Sequence, residues 1–243
     1  MDGFIIPASS TTVMKIHRLD ATVLPDGSLE PNEDNAWYVD SPEDEKEVYG
    51  RLHGVKGLAN CLNISKNGLE LEFYQRGDLK DYIKDNFPPP SAQKLAWIQQ
   101  LVDFVAACHN RKVLWFDTAL RNILLADDMT TRAIDFVNST VVPPDADIEA
   151  KTSDGYSAKV EVLHATNVIY SISRWTEFQT DCVVEEEWPA MDTFPATQDL
   201  ELGHVISKAW GHEYSNVLEL RDAIRSLEGG RDKNDSTGAK HIE

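Results

Sequence analysis

Val113-Leu-Trp-Phe-Asp-Thr-Ala-Leu-Arg-Asn-Ile-Leu-Leu125, followed shortly by Ala133-Ile-Asp-Phe136, is the stretch that decides how the rest of the chain is read. Asp117 stands five residues before Asn122, an apolar run follows at once, and Asp135 lies thirteen residues beyond the Asn. Taken singly, each has a plain reading: a solvated loop Asp, a turn Asn, a turn Asp after a strand. Together they supply what phosphoryl transfer from ATP requires. One carboxylate orients or deprotonates the attacking hydroxyl, and an amide with a second carboxylate holds Mg²⁺ on the phosphates.

The pattern resembles the catalytic loop and magnesium loop of eukaryotic protein kinases, H-R-D-x-x-x-x-N followed by D-F-G. Asp117, Asn122, Asp135 and Phe136 match it, while Trp115 replaces the His, Phe116 the Arg and Val137 the last Gly. The resemblance implies that Asp117 is the catalytic base and that Asn122 and Asp135 bind Mg²⁺ and, through it, ATP. Arg121 completes D-x-A-x-R-N, as in tyrosine-kinase-like loops, and by the same resemblance contacts the γ-phosphate; its plain alternative is a solvated Arg. Ala119 stands where serine/threonine kinases carry a Lys.

Further resemblances follow upstream. Lys15, in Val13-Met-Lys-Ile16, is the candidate for the lysine that meets the α- and β-phosphates; otherwise it is a surface strand residue and that lysine is missing. Glu45 is the candidate partner of Lys15, three, four and seven residues before Val48, Tyr49 and Leu52, with Glu43 and Glu47 as rivals. Glu72-Phe73-Tyr74 aligns with the hinge that binds adenine, Leu71 with the gatekeeper, and Gly77-Asp78 with the start of the next helix.

The order of elements also resembles that family. Strands are expected at Phe4-Ile-Ile6 and Val13–Ile16, then a loop or partly ordered insertion over 19–44 with a turn at Pro25-Asp-Gly27. Ser41-Pro-Glu-Asp-Glu45 reads as a capped helix start. Two strands, Cys61–Ile64 and Leu69–Phe73, flank the hairpin signal Ser65-Lys-Asn-Gly68. Helices are expected after caps at Asp78 and Ser91, then at 158–173, Leu200–Trp210 and Ser215–Leu227. The expected fold is α+β, bilobal and protein-kinase-like: a small β-rich N-lobe over 1–75, a larger mainly helical C-lobe over 76–228, and a disordered tail over 229–243.

Several departures bear on activity. The loop Pro7-Ala-Ser-Ser-Thr-Thr12 has no Gly, which makes close backbone approach to phosphates harder. Phe116 removes the Arg that docks an activation-loop phosphate in regulated kinases, so Trp115 and Phe116 are expected to hold the loop by apolar packing instead. The A-P-E Glu and its late Arg partner are both absent; losing both halves of a buried ion pair is tolerable where losing one is not. Thr118, Ser139, Thr140, Thr152 and Ser153 are candidate phosphosites without an evident receptor.

Composition sets the outer bounds. The 243 residues are 42% apolar, enough for a core, and carry a net charge of −18. That charge disfavours nucleic acid and anionic membranes as partners. No apolar run reaches the ~18 residues of a membrane span, and the N-terminus lacks a signal-peptide pattern. Three widely spaced cysteines fit neither a disulfide framework nor a zinc site, so a cytoplasmic or nuclear protein is expected. Acidic stretches at 29–47 and 183–192 read as solvated faces or as attractors of basic peptides. Three functions remain open: a divergent protein kinase acting on Ser, Thr or Tyr hydroxyls, a pseudokinase scaffold with an unknown protein partner, and a kinase-fold small-molecule phosphotransferase.

Overall fold

A computed structural model describes residues 3–17, 21–31, 44–66, 68–150, 157–182 and 187–235. A four-stranded antiparallel sheet in the order β1-β2-β6-β5 is built from β1 (Gly3–Pro7), β2 (Thr12–His17), β5 (Cys61–Ser65) and β6 (Gly68–Glu72). Its period-2 pattern is clearest in β6, where Leu69 and Leu71 are buried and Glu72 is exposed. Lys15 pairs with Leu69 and Val13 with Leu71, so Lys15 shares their inward face. Gly68 makes this pairing possible. Its φ is 141°, and a Cβ there would lie 2.1 Å from the Lys15 carbonyl oxygen.

Within the stretch expected as a loop or partly ordered insertion, β3 (Ala21–Val23) and β4 (Leu29–Pro31) form a hairpin. Asp26 closes its tip by accepting bonds from the Ser28 amide and hydroxyl at 2.9 and 2.6 Å. Helix α1 follows at 44–51, with Glu45, Val48, Tyr49 and Leu52 all buried on one side. The expected Ser41 cap, and Glu43, lie outside the described residues, as do Asn67, Thr152 and Ser153.

Most of the remaining chain is helical: α2 (Leu79–Asp85), α3 (Ser91–Asn110), α4 (Ala158–Arg174), α5 (Gly203–Trp210) and α6 (Val217–Asp235). Asp78 caps α2 as expected, accepting from the Asp81 amide at 2.9 Å. Ser91 does not cap α3. Pro90 takes that position, and its carbonyl accepts from the amides of Gln93 and Lys94. Helix α6 runs past Gly229 to Asp235, into the stretch expected as tail. Propagation from an already packed helix needs no new nucleus, and each Gly costs only about 1 kcal/mol. No described helix is long and apolar enough to cross a membrane.

Between α3 and α4 run four short strands, β7 (Val113–Leu114), β8 (Ile123–Leu125), β9 (Thr131–Ala133) and β10 (Thr140–Val141), paired as β7–β10 and β8–β9. They carry two loops, 115–122 and 134–139; the second meets α1 through Phe136, and the first packs against Phe136 through Trp115. One core joins these pieces. Tyr49, Phe104, Trp115 and Phe136 meet ring to ring at 5.3–6.2 Å.

The loop after β7 is anchored from below by Glu161 on α4, which is fully buried. Its Oε1 accepts from the amides of Trp115 at 2.7 Å and Phe116 at 3.0 Å, and its Oε2 meets Nε2 of His109. A buried carboxylate is tolerated only with such partners. Glu161→Ala therefore orphans two backbone donors and an imidazole. We expect a loss of about 3–5 kcal/mol in chemical denaturation. A loss below ~1 kcal/mol would mean that the anchor carries no stability.

Candidate functional site

Lys15 is the centre of the site. Its Nζ lies 2.7 Å from Glu45 Oε1 and 2.7 Å from Asp135 Oδ1. Three distant segments thus meet at one ammonium: the inward face of β2, the first described turn of α1, and the loop after β9. Burial works against the charge of Lys15, but the two carboxylates outweigh it and hold its pKa above the ordinary lysine range. The backbone amide of Phe136 also donates to Glu45 Oε1 at 3.0 Å. Among the rivals of Glu45, Glu47 turns outward and pairs with Arg51 at 3.0 Å.

Asp135 has φ 62°, a left-handed conformation that costs an Asp roughly 1 kcal/mol or more. Its neighbours hold it there. Trp115 Nε1 donates to the Asp135 carbonyl at 3.1 Å, and Phe136 is fully buried beneath it. Trp115 thereby performs both apolar packing and a polar task. Phe116 is 3% exposed and packs against Leu114, Val142 and Ala158, in line with the expected apolar bracing of the loop.

Asp117 sits next, its side chain 21% exposed, with Arg121 Nη2 at 2.5 Å from its Oδ1. Asn122 is buried in the short 3-10 turn Leu120–Asn122, and its Nδ2 donates to the Asp117 carbonyl at 2.9 Å. The Asn122 carbonyl accepts from the Ile134 amide at 3.0 Å, which couples the two loops directly. Asp117, Asn122 and Asp135 are therefore linked through a continuous chain of backbone and side-chain bonds.

Glu72 and Tyr74 lie apart from that group, at the end of β6. The Tyr74 hydroxyl donates to Glu72 Oε2 at 3.3 Å and accepts from the Asn60 amide at 3.0 Å. Tyr74 is buried against Ala59 and Ala126, while Glu72 faces outward. The amide of Phe73 donates to Thr11 O at 2.8 Å, and the Tyr74 carbonyl accepts from Gly77 N at 3.1 Å. Leu71 is buried beneath them.

Asp135 and Asn122 are oxygen donors of the type that a hard cation takes. Such ions are held by one or two protein groups plus phosphates rather than by a protein cage. Among the described residues no group of three or more His, Cys, Asp or Glu is arranged for a metal. The tip of the glycine-free turn is less accommodating to phosphate. The amides of Ala8 and Ser9 both donate to Thr12 O, at 3.0 and 3.2 Å.

Sequence reasoning passed over Glu161 and His164 and read Ser139 only as a candidate phosphosite; all three fasten the Asp117 loop. The Ser139 hydroxyl donates to Trp115 O at 3.2 Å, and His164 meets Phe116 O. The available signal was Glu161 itself, the one acid within an apolar helix. A cavity of about 340 Å³ between Gly54–Gly57, α3 and β9 has none of these site residues in its lining.

No family model matches the chain. Part of it is similar to protein kinases. It is 27% identical over 95 residues to a probable serine/threonine-protein kinase of Dictyostelium discoideum, which is 39% of this chain and 11% of that protein. It is 34% identical over 74 residues to NUAK family SNF1-like kinase 2 of Homo sapiens, 30% of this chain and 12% of that one. It is 32% identical over 82 residues to the mitosis inducer protein kinase cdr1 of Schizosaccharomyces pombe, 33% of this chain and 14% of the relative. The matched stretches span at most about a seventh of these relatives, so the likeness is to kinase-like sequence over roughly a third of the chain.

Proposed function

We propose that this chain is a divergent protein kinase that transfers the γ-phosphate of ATP to a protein Ser, Thr or Tyr hydroxyl. One observation carries the reading: Lys15 is held between Glu45 and Asp135, while the Asp135 loop is bonded through Ile134 to Asn122, and Asn122 to Asp117. The sheet with α1 then forms one lobe, the helical part the other, and ATP lies between them. The adenine bonds backbone groups near Glu72 and Tyr74.

In this reading Lys15 turns from Asp135 toward the α- and β-phosphates and keeps Glu45 as its partner. Asn122 and Asp135 hold Mg²⁺, which supplies charge neutralisation on the phosphates. Asp117 accepts the proton of the incoming hydroxyl and sets it in line with the γ-phosphate. Arg121, paired with Asp117, would turn to contact the γ-phosphate. Because transfer depends mainly on positioning and field, a loop held from both sides suits it.

A second reading, a nucleotide-independent scaffold, is favoured by the turn at 8–12. The amides of Ala8 and Ser9 are engaged with Thr12 O and that of Thr11 with the Ser9 hydroxyl, and the turn has no Gly to bring its backbone onto a phosphate.

Thermal unfolding with ATP, with and without Mg²⁺, separates the two readings. ATP at ~100 times its Kd adds about 2.7 kcal/mol of stability. We expect a magnesium-dependent shift that Asp135→Asn removes; no shift at millimolar ATP sinks the kinase reading in favour of the scaffold. In a phosphate-transfer assay, Asp117→Asn should lower turnover by about 10²–10⁴-fold and leave ATP binding intact. Lys15→Met should weaken nucleotide binding or turnover. If it changes neither, Lys15 is a structural ion-pair residue only.

A further inference from the structure

His164 lies on α4 one helical turn after Glu161, and its side chain is 13% exposed. Its Nδ1 is 2.5 Å from the carbonyl oxygen of Phe116, and its Nε2 is 3.1 Å from Asp181 Oδ1. Both partners are oxygen acceptors. A neutral imidazole has one N–H and an imidazolium has two, so only the charged ring donates to both.

The residue held in this way is unusual. Phe116 has φ 56°, which a bulky side chain adopts only under constraint. Its amide is held by Glu161 and its carbonyl by His164, so both of its backbone polar groups are fastened to α4. The next residue is Asp117. On the other side of the ring, Asp181 belongs to the segment after α4, and the Cys182 amide donates to the same carboxylate oxygen at 2.7 Å. That segment also reaches the loop. A cavity of about 10 Å³, room for no more than about one water, is lined by Thr118, Asn167, Phe178 and Gln179. The Thr118 hydroxyl is buried and has no partner among the described residues.

We infer that His164 is a positioning residue for Asp117: as an imidazolium it clamps the Phe116 carbonyl to α4 and ties the Asp181 segment to the same point. The inference rests on the reading of Asp117 as the base. The charged groups that act on the ring are Asp181, from the segment after α4, and Glu161, from α4 itself. Burial opposes the charge, but the hydrogen bond and charge of Asp181, the Phe116 carbonyl and Glu161 outweigh it and raise the pKa above the ordinary imidazole range. The stabilisation is therefore complete below the unfolded-state pKa and is lost as pH rises through the folded one. On losing its proton to solvent, the ring keeps Nε2–H on the Asp181 carboxylate, the stronger acceptor. The Nδ1 lone pair then faces the Phe116 carbonyl oxygen, and the clamp on that carbonyl is lost.

The test is a ring-nitrogen NMR titration with amide protection factors for residues 116–118, on the wild type, Asp181→Asn and His164→Asn. Asn places an amide donor near the Nδ1 position at every pH. We expect both ring protons at neutral pH and a titration above the ordinary range, which Asp181→Asn brings down. Protection of Asp117 and Thr118 should fall about tenfold as the wild-type ring deprotonates, the effect of roughly one hydrogen bond, and should not vary with pH in His164→Asn. A single ring proton at neutral pH, a titration indifferent to Asp181→Asn, or protection indifferent to the ring overturns the clamp. None of these readouts needs turnover, so a failure of the kinase reading stays separate. Where turnover is measurable, kcat should follow the ring titration with KM for ATP unchanged, and a flat kcat profile overturns the positioning role.

Discussion

The ammonium of Lys15, buried between the carboxylates of Glu45 and Asp135, joins three distant pieces of chain at one point. Two of the three groups come from secondary structure that buries apolar side chains on the same face, Leu69 and Leu71 beside Lys15 and Val48, Tyr49 and Leu52 beside Glu45. The third comes from a loop. A buried ion cluster is poor evidence of stability, because desolvation offsets much of its Coulomb gain, and removing one member typically costs about 3–5 kcal/mol. Its value lies in registry. With Lys15 on the inward face of β2, a one-residue slip of that strand would put the ammonium outside and leave two carboxylates facing each other.

Around this centre the backbone is held in conformations it would not choose. Phe116 and Asp135 both have positive φ, and both are bonded from neighbouring elements. Glu161 and His164 hold the first; Trp115 holds the second through its indole N–H. Apolar residues at 115 and 116 explain how the loop dispenses with the polar pair that protein kinases carry there. Trp115 enters the aromatic cluster with Phe104 and Phe136, while Phe116 fills a small separate core with Leu114, Val142 and Ala158. The loop is fixed by packing and by buried acceptors instead of by a phosphate on an exposed Arg.

The turn at 8–12 is a counterweight to this order. The amides of Ala8, Ser9 and Thr11 bond within the turn, so a phosphate gains little from them unless the turn opens. The polar machinery around Asp117 and the closed turn above it therefore press in opposite directions. In the proposed reading, nucleotide affinity is the quantity in which that conflict is resolved.

Local pattern made much of this legible from the chain. Period-2 alternation in 68–72 located β6, the 3,4,7 spacing after Glu45 located the buried face of α1, and Asp78 declared its helix. The spacing of Asp117, Asn122 and Asp135 marked two loops that the structure bonds together. The β3–β4 hairpin, the Pro90 start of α3 and the continuation of α6 to Asp235 were not legible, because each turns on a balance of about 1 kcal/mol that propensity cannot resolve. The choice of Glu45 over Glu47, and the Lys15 bridge to Asp135, were decided only in three dimensions. So were the buried anchors Glu161 and His164. Sequence determined which residues could carry charge and how elements repeat; tertiary packing alone decided which charges meet, because residues 15, 45 and 135, and likewise 109 and 161, become neighbours only after the apolar faces that carry them have found each other.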